Sequence, residues 1–204
     1  MSIAADYARA VAALDSGHFP AYVSYDSRDW ARGIDRESDG PQTVYVRTKD
    51  GAIVQGPPSE HRNPQIAVND ERGSNPISDP AFKARCYRAQ SEESVQRNGR
   101  AALRFDLAPT CGPNDDYPFA TLYADAQTLV PIEVDGTVST EGVRVRLAQN
   151  FAQFNGYTLP STLLVDVKGR GLLFWLREHA QLQYSDYKFY AANPVPRRQT
   201  AKPL

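Results

Sequence analysis

Tyr87-Arg88-Ala89-Gln90-Ser91-Glu92-Glu93-Ser94-Val95-Gln96-Arg97-Asn98-Gly99-Arg100-Ala101-Ala102-Leu103-Arg104-Phe105-Asp106-Leu107 reads as two strands, 87–96 and 101–107, hinged on one dipeptide. A two-residue type I′ turn needs positive φ at both central positions, and Asn followed by Gly meets that need at the least steric cost. Asp50-Gly51, Asp135-Gly136 and Asn155-Gly156 repeat the signal, and Lys168-Gly169 is a weaker fifth. Apolar runs rich in Val, Leu, Tyr and Phe flank each of them. The spacing predicts a meander of antiparallel strands.

Working outward, residues 21–26 read as a first strand, and 43–48 with 52–55 as a hairpin about Asp50-Gly51. Residues 119–124 and 129–134 flank a turn at 125–127. Strands at 143–154, 161–167, 171–177 and 181–190 continue the series. Val143-Arg144-Val145-Arg146-Leu147 alternates cleanly, with three aliphatics on one face and two arginines on the other, as a half-buried strand requires. Ahead of the strands, Ile3, Tyr7, Ala10, Val11 and Leu14 recur at helical spacing, so residues 2–14 read as a helix with Ser2 as N-cap and Gly17 at its end. So short a helix is marginal alone and must dock its stripe on a sheet. Asp79-Pro80 reads as the start of a short helical turn running through Ala84.

The chain has 204 residues, 15 of them proline, an apolar fraction of 41% and a net charge of −1. Its mean hydropathy is −0.52. One folded domain over 1–193 is expected, with a proline-rich, basic, disordered tail at 194–204. Residues 56–79 form a long insertion without periodicity, of the kind that serves as a lid or stays disordered. Near-zero charge invites neither a nucleic-acid backbone nor an anionic membrane surface. No apolar stretch approaches the ~20 residues that span a bilayer. The first ten residues lack the basic and apolar regions of a secretory signal, which fits either a cytoplasmic protein or a mature form from which a signal has been trimmed.

The cysteines carry a geometric expectation. In a two-residue hairpin centred on Asn98-Gly99, Cys86 and Cys111 are equidistant from the turn and would lie opposite one another if the register held. Directly opposed Cβ atoms lie within reach of a disulfide. A bulge or the kink at Pro109 would shift that register, leaving two unlinked buried thiols as the alternative. A disulfide implies an oxidising compartment.

Catalytic signatures are missing. His18, His61 and His179 are isolated from ligand-spaced partners, and no nucleophile elbow, phosphate loop or dinucleotide fingerprint occurs. Asn114-Asp115-Asp116 lacks the oxygen spacing of a calcium loop and reads as a solvated turn. Asp26, Asp29, Asp35, Glu37 and Asp39 are interleaved with Arg28, Arg32 and Arg36, the mixed-sign look of a solvated surface. A non-enzyme with no cofactor and no metal is expected.

Residues 122–131, LYADAQTLVP, have a strand ending in Asp, a Thr soon after and a Pro opening the next strand. Gly156-Tyr157-Thr158-Leu159-Pro160 leads into a later strand, and residues 100–109 follow a Gly turn and end in Leu-Ala-Pro. These stretches, with the order helix, strands, long insertion, meander, resemble the LolA-like superfamily of periplasmic lipoprotein carriers and related envelope-sensor domains. The resemblance implies a mainly β fold with helices (α+β), an open antiparallel half-barrel closed by the N-terminal helix, and a periplasmic location. It also implies binding or carriage of a lipid or lipoprotein acyl chain. On the residues themselves, Val143, Val145, Leu147, Leu163, Val165, Val167, Leu172, Phe174 and Leu176 supply the aliphatics for an apolar cavity, with 56–79 as its cover. The alternative is that they pack as a filled core, in which case the scaffold serves as a protein-interaction or sensor module of the envelope.

Overall fold

The computed structural model describes residues 2–32, 36–37, 41–55, 76–77, 80–113, 116–140, 142–170 and 175–195. Helix α1 (Ile3–Ala12) is capped by Ser2, whose hydroxyl accepts from the Ala5 N–H at 3.4 Å. The strands are β1 (Tyr22–Arg32), β2 (Arg36–Glu37), β3 (Gln42–Arg47), β4 (Ile53–Gln55), β5 (Tyr87–Arg97), β6 (Arg100–Pro109), β7 (Phe119–Asp125), β8 (Pro131–Thr140), β9 (Val143–Phe154), β10 (Tyr157–Arg170) and β11 (Trp175–Tyr190). They form one antiparallel sheet in the order β4-β3-β1-β11-β10-β9-β8-β7-β6-β5, with β2 beside β1. From β5 to β11 every strand pairs with its chain neighbour, which is the expected meander. The sheet is open, with β4 and β5 at its edges. The insertion at 56–79, apart from Pro76 and Ile77, and the tail from 196 lie outside the described residues.

Asp50-Gly51 closes the β3–β4 hairpin with only Gly51 at positive φ, and two further glycine signals mark turns with positive φ at both residues. Asn98 and Gly99 take φ of 53° and 75°, and Asn155 and Gly156 take 51° and 84°. Two others do not mark turns. Gly136 lies inside β8, opposite Phe119, and a Cβ placed there would sit 1.9 Å from the Pro118 carbonyl oxygen. The residue is glycine because another stretch of backbone lies against it. Gly169 lies inside β10, paired with Val143 and Leu176. With those turns removed, 161–167 becomes part of a longer β10, and residues 175–177 and 181–190, expected in separate strands, run together in β11, while 171–174 lie outside the described residues. The short helical turn also shifts: Asp79 lies outside the described residues, and the 3-10 turn is Ala84–Cys86.

The disulfide between Cys86 and Cys111 is present, with Cα atoms 5.0 Å apart, but the simple register is not. Pairing about Asn98-Gly99 holds from Arg97↔Arg100 to Ser91↔Asp106, then slips by one residue to Ala89↔Leu107. The bulge brings Thr110 opposite Cys86, and the Thr110 N–H donates to the Cys86 carbonyl at 2.8 Å. The bond is therefore made one residue beyond the pair, where the chain turns away from the strand. It fastens the 3-10 turn that receives α1: the Tyr7 hydroxyl donates to the Ala84 carbonyl at 3.1 Å.

Both motifs behind the family resemblance have local physical causes. Asp125 Oδ1 accepts from the N–H groups of Gln127 and Thr128 at 3.0 and 2.9 Å and from the Thr128 hydroxyl at 2.9 Å. Those bonds, the Thr128 N–H first, hold the Asp125 carboxyl below the usual range. They also hold Leu129 at φ 60°, from which its side chain is buried under the sheet. In the second motif, Pro160 sits where β10 slips by one residue against β9, a position at which proline interrupts no regular ladder. Its carbonyl accepts from the Tyr187 hydroxyl at 2.9 Å.

One face of the sheet carries both buried clusters. Tyr7 and Ala10 of α1 pack with Phe105, Leu122, Leu129 and Val134 over β5 to β8. Val23, Tyr25, Val44, Val46, Leu159, Tyr184 and Tyr187 form the second over β1, β3, β10 and β11. The other face is polar. Ser91 donates to Asp106 at 2.6 Å, Arg104 pairs with Asp106 at 2.7 Å, and Arg97 forks onto Glu133. Burial first, and the charge of Glu133 second, push the Asp135 carboxyl above its ordinary value.

Tyr7→Ala is expected to cost ~3–5 kcal/mol in urea unfolding, because the ring is 7% exposed and edges onto Phe105 at 5.9 Å. Gly136→Ala should cost about 3 kcal/mol or more, whereas Gly99→Ala, which meets open space, should lose only about 1 kcal/mol to its positive φ. For Asp135 the native state holds the proton more tightly than the unfolded chain does. The stability this contributes is present in acid and is lost as pH rises through the folded value. Asp135→Asn should therefore melt above wild type at neutral pH, with the gap closing as pH falls below the carboxylate range.

Candidate functional site

The face that carries the two clusters is continuous between them, and most of the expected cavity residues lie there. Across the sheet, Val138, Val145 and Val167 are in register, and the adjacent row joins Leu147, Val165 and Ala180. A third row brings Val134, Gln149, Leu163 and Leu182 into line. Val143 continues the stripe toward the β8–β9 hairpin, opposite Thr140 and Gly169. Rows two residues apart are roughly 7 Å apart along the strand, and strands lie ~4.8 Å apart across it. The stripe thus runs about 20 Å along the strands and about 14 Å across them from β8 to β11.

Its borders are made by packing. On the β8 side, the Pro118–Phe119 backbone covers Gly136. Leu147 sits against the first cluster, so that one of the expected residues also serves the core. On the β11 side, Leu182 leads to Tyr184 and the second cluster. Burial pushes the hydroxyls of Tyr25, Tyr184 and Tyr187 well above their ordinary value, so this border presents neutral phenols. Gln149 is 2% exposed, and its amide oxygen accepts from the Phe82 N–H at 3.2 Å, which consumes its acceptor inside the first cluster.

Between the borders, Leu163 and Val165 are 7% and 8% exposed yet belong to neither cluster of described residues. Val143, Val145 and Val167 are half-buried and also stand outside both. Leu172 and Phe174 lie outside the described residues, and of Leu176 only the backbone pairing with Gly169 is described. The sequence reading misses Val138, Ala180 and Leu182. Val138 becomes visible only when Asp135-Gly136 is taken as strand instead of turn, for Val134, Gly136 and Val138 then alternate onto one face.

Among the described residues, reactive groups do not converge on this face. Both cysteines are joined, and no group of three or more metal-ligating side chains forms among the described residues. His179 is paired with Asp166 on the opposite face, with the Trp30 ring against it at 5.4 Å. No helix among the described residues is long and apolar enough to cross a membrane. The stripe presents branched aliphatics between two packed clusters.

No protein-family model and no curated protein matches the chain. Among solved structures it is similar to a LolA superfamily protein from Nitrosomonas europaea, at 13% identity and a TM-score of 0.49 over 95% of this chain and 96% of that one. It is similar also to a lipoprotein-sorting protein domain from Vibrio parahaemolyticus, at 13% identity and 0.48 over 90% and 91%. A third is a DUF1329 family protein from Desulfovibrio piger, at 10% identity and 0.43 over 92% of each chain.

Proposed function

We propose that the protein binds an acyl chain of a lipid or lipoprotein along the stripe formed by Val138, Val143, Val145, Leu163, Val165 and Val167, as a non-enzymatic carrier in the cell envelope. The observation that supports this is a one-sided aliphatic surface, shared by neighbouring strands, that lies between two packed clusters and belongs to neither among the described residues. Each methylene withdrawn from water there is worth about 0.8 kcal/mol, so a chain of several carbons gains several kcal/mol without any polar contact. The open sheet then acts as a half-barrel, α1 closes one end of it, and the segment at 56–79 serves as the movable cover. The disulfide supports an extracytoplasmic location, since such bonds persist in oxidising compartments. This reading agrees with what the resemblance in the sequence implies.

Equilibrium titration with a fluorescent fatty-acid probe tests it. Wild-type protein should bind saturably. Val145→Asp should weaken binding by at least about tenfold, because an unpaired carboxylate in an apolar groove is costly to desolvate. Val145→Leu should retain it. Val145 is half-buried and outside both clusters, so the charged variant should keep its fold, as circular dichroism on the same sample will report. Folded wild-type protein that takes up no probe, or Val145→Asp that binds as wild type does, would overturn the carrier reading and favour a protein-interaction module.

A further inference from the structure

We infer that the opposite face of the sheet holds a second binding site, for a small monocarboxylate, centred on Arg146. A cavity of about 320 Å³ opens there, walled by Arg97, Asn98, Glu133, Arg146, Asn150 and Asp166 and floored by Ala148 and Leu164. It is independent of the acyl stripe: Arg146 lies between Val145 and Leu147 on β9 and therefore points to the other side of the pleat. The cavity exists because the tip of the β5–β6 hairpin leans over its neighbours. Arg97 stacks on the Tyr123 ring, 4.5 Å from its centroid, and reaches Glu133 on β8, with Nε 3.0 Å from Oε2.

The charges of the cavity are unequally occupied. Arg97 is committed to Glu133, which is 6% exposed. Asp166 is committed to His179. Arg146 faces Asp166 and Thr137 across the ladder, yet among the described residues its guanidinium makes no hydrogen bond or ion pair. The side-chain amides of Asn98 and Asn150 likewise have no partner among the described residues. The unspent capacity is therefore one guanidinium fork and two amide donors around an apolar floor.

That set selects its ligand. A guanidinium matches the planar carboxylate in a two-bond fork. The carboxylates of Glu133 and Asp166 line the same space, and Asp135 stands close enough to Arg146 to feel its charge, so a dianion such as phosphate is opposed by repulsion that a monoanion feels half as strongly. The volume lies at the small end of ligand pockets, and Ala148 with Leu164 offers room for a short alkyl body. Short-chain carboxylic acids fit these terms.

The test titrates sodium butyrate into the intact protein at constant ionic strength, following the backbone amides of Ala148 and Leu164 and the Arg146 side chain by NMR. Saturable shifts at all three are expected. Arg146→Gln should weaken binding by about ten- to a hundredfold, the value of a hydrogen bond to a charged group. Arg144→Gln, the same charge change on the same face outside the cavity, should leave it unaltered. Butyramide and inorganic phosphate should not compete. Linear shifts, an unaffected Arg146→Gln, or equal losses in both arginine variants would overturn the site. So would binding of acetyl-Ala-Ala-Ala as its free acid without binding of butyrate, since the carboxylate would then belong to a peptide terminus. Unchanged circular dichroism of Arg146→Gln separates loss of the fork from loss of fold.

Discussion

The ladder between β1 and β11 is the constraint on which the rest of the molecule depends. It joins the first strand of the chain to the last, from Tyr22↔Tyr190 to Arg32↔His179. The hydroxyls of Ser24 and Tyr190 meet at 3.1 Å although 166 residues separate them. Without that pairing, β3 and β4 would have no sheet to extend, and Val23, Tyr25, Val44 and Val46 would have no Tyr184 and Tyr187 to pack against. The meander from β5 to β11 forms from neighbours and needs only short loops to close. The β1–β11 ladder instead joins residues far apart in sequence, a contact whose loop closure costs more entropy than a hairpin's.

Legibility in the sequence divides along the same line. β9 was readable to the residue, because Val143-Arg144-Val145-Arg146-Leu147 records a strand with one wet and one dry face. Most of the α1 stripe was readable for the same reason at helical period: Tyr7 and Ala10 are buried where it placed them, but Ile3, in the first turn, is 39% exposed. Gly136 and Gly169 misled because glycine answers two different needs, positive φ in a turn and absence of a Cβ in a strand, and composition alone does not separate them. Nothing local announces that β1 will pair with β11. The disulfide was readable by symmetry about Asn98-Gly99 although the bulge near Gln90 had shifted the ladder, because a disulfide tolerates a one-residue offset that strand pairing does not. The stripe was half legible: its aliphatics were visible in β9 and β10, but their neighbours in β8 and β11 depended on registers the sequence does not print.

Bulges do much of the shaping. The slip in β5 sets Thr110 opposite Cys86, and the disulfide reaches past that pair to Cys111. Where β1 meets β11, the ladder slips between Ser24 and Asp26, and Asp186 takes φ 52° on the partner strand. That extra residue puts Tyr184 and Tyr187, three positions apart, into the same cluster, which a regular strand would place on opposite faces. A third slip at Pro160 carries Leu159 into the core beside them. Each irregularity bends a strand and deepens the twist of the sheet, so the buried face divides into two separate clusters with the aliphatic stripe between them.

A sheet with two differently wetted faces has a consequence for how its two proposed sites relate. Val145 and Arg146 are neighbours on one strand, so both sites hang from the same ladder of β8, β9 and β10 while facing opposite ways. Closing an acyl chain onto one face requires those strands to keep their register, because a slip of one residue would exchange Val145 for Arg146 and turn the dry surface wet. The polar face resists such a slip. Arg97–Glu133 and Asp166–His179 each tie different strands together across it, and both pairs would be broken by a shift that moved every side chain through the sheet. The ionic contacts on one face thus act less as a source of net stability, which partly exposed pairs supply sparingly, than as a lock on the alternation that keeps the other face apolar.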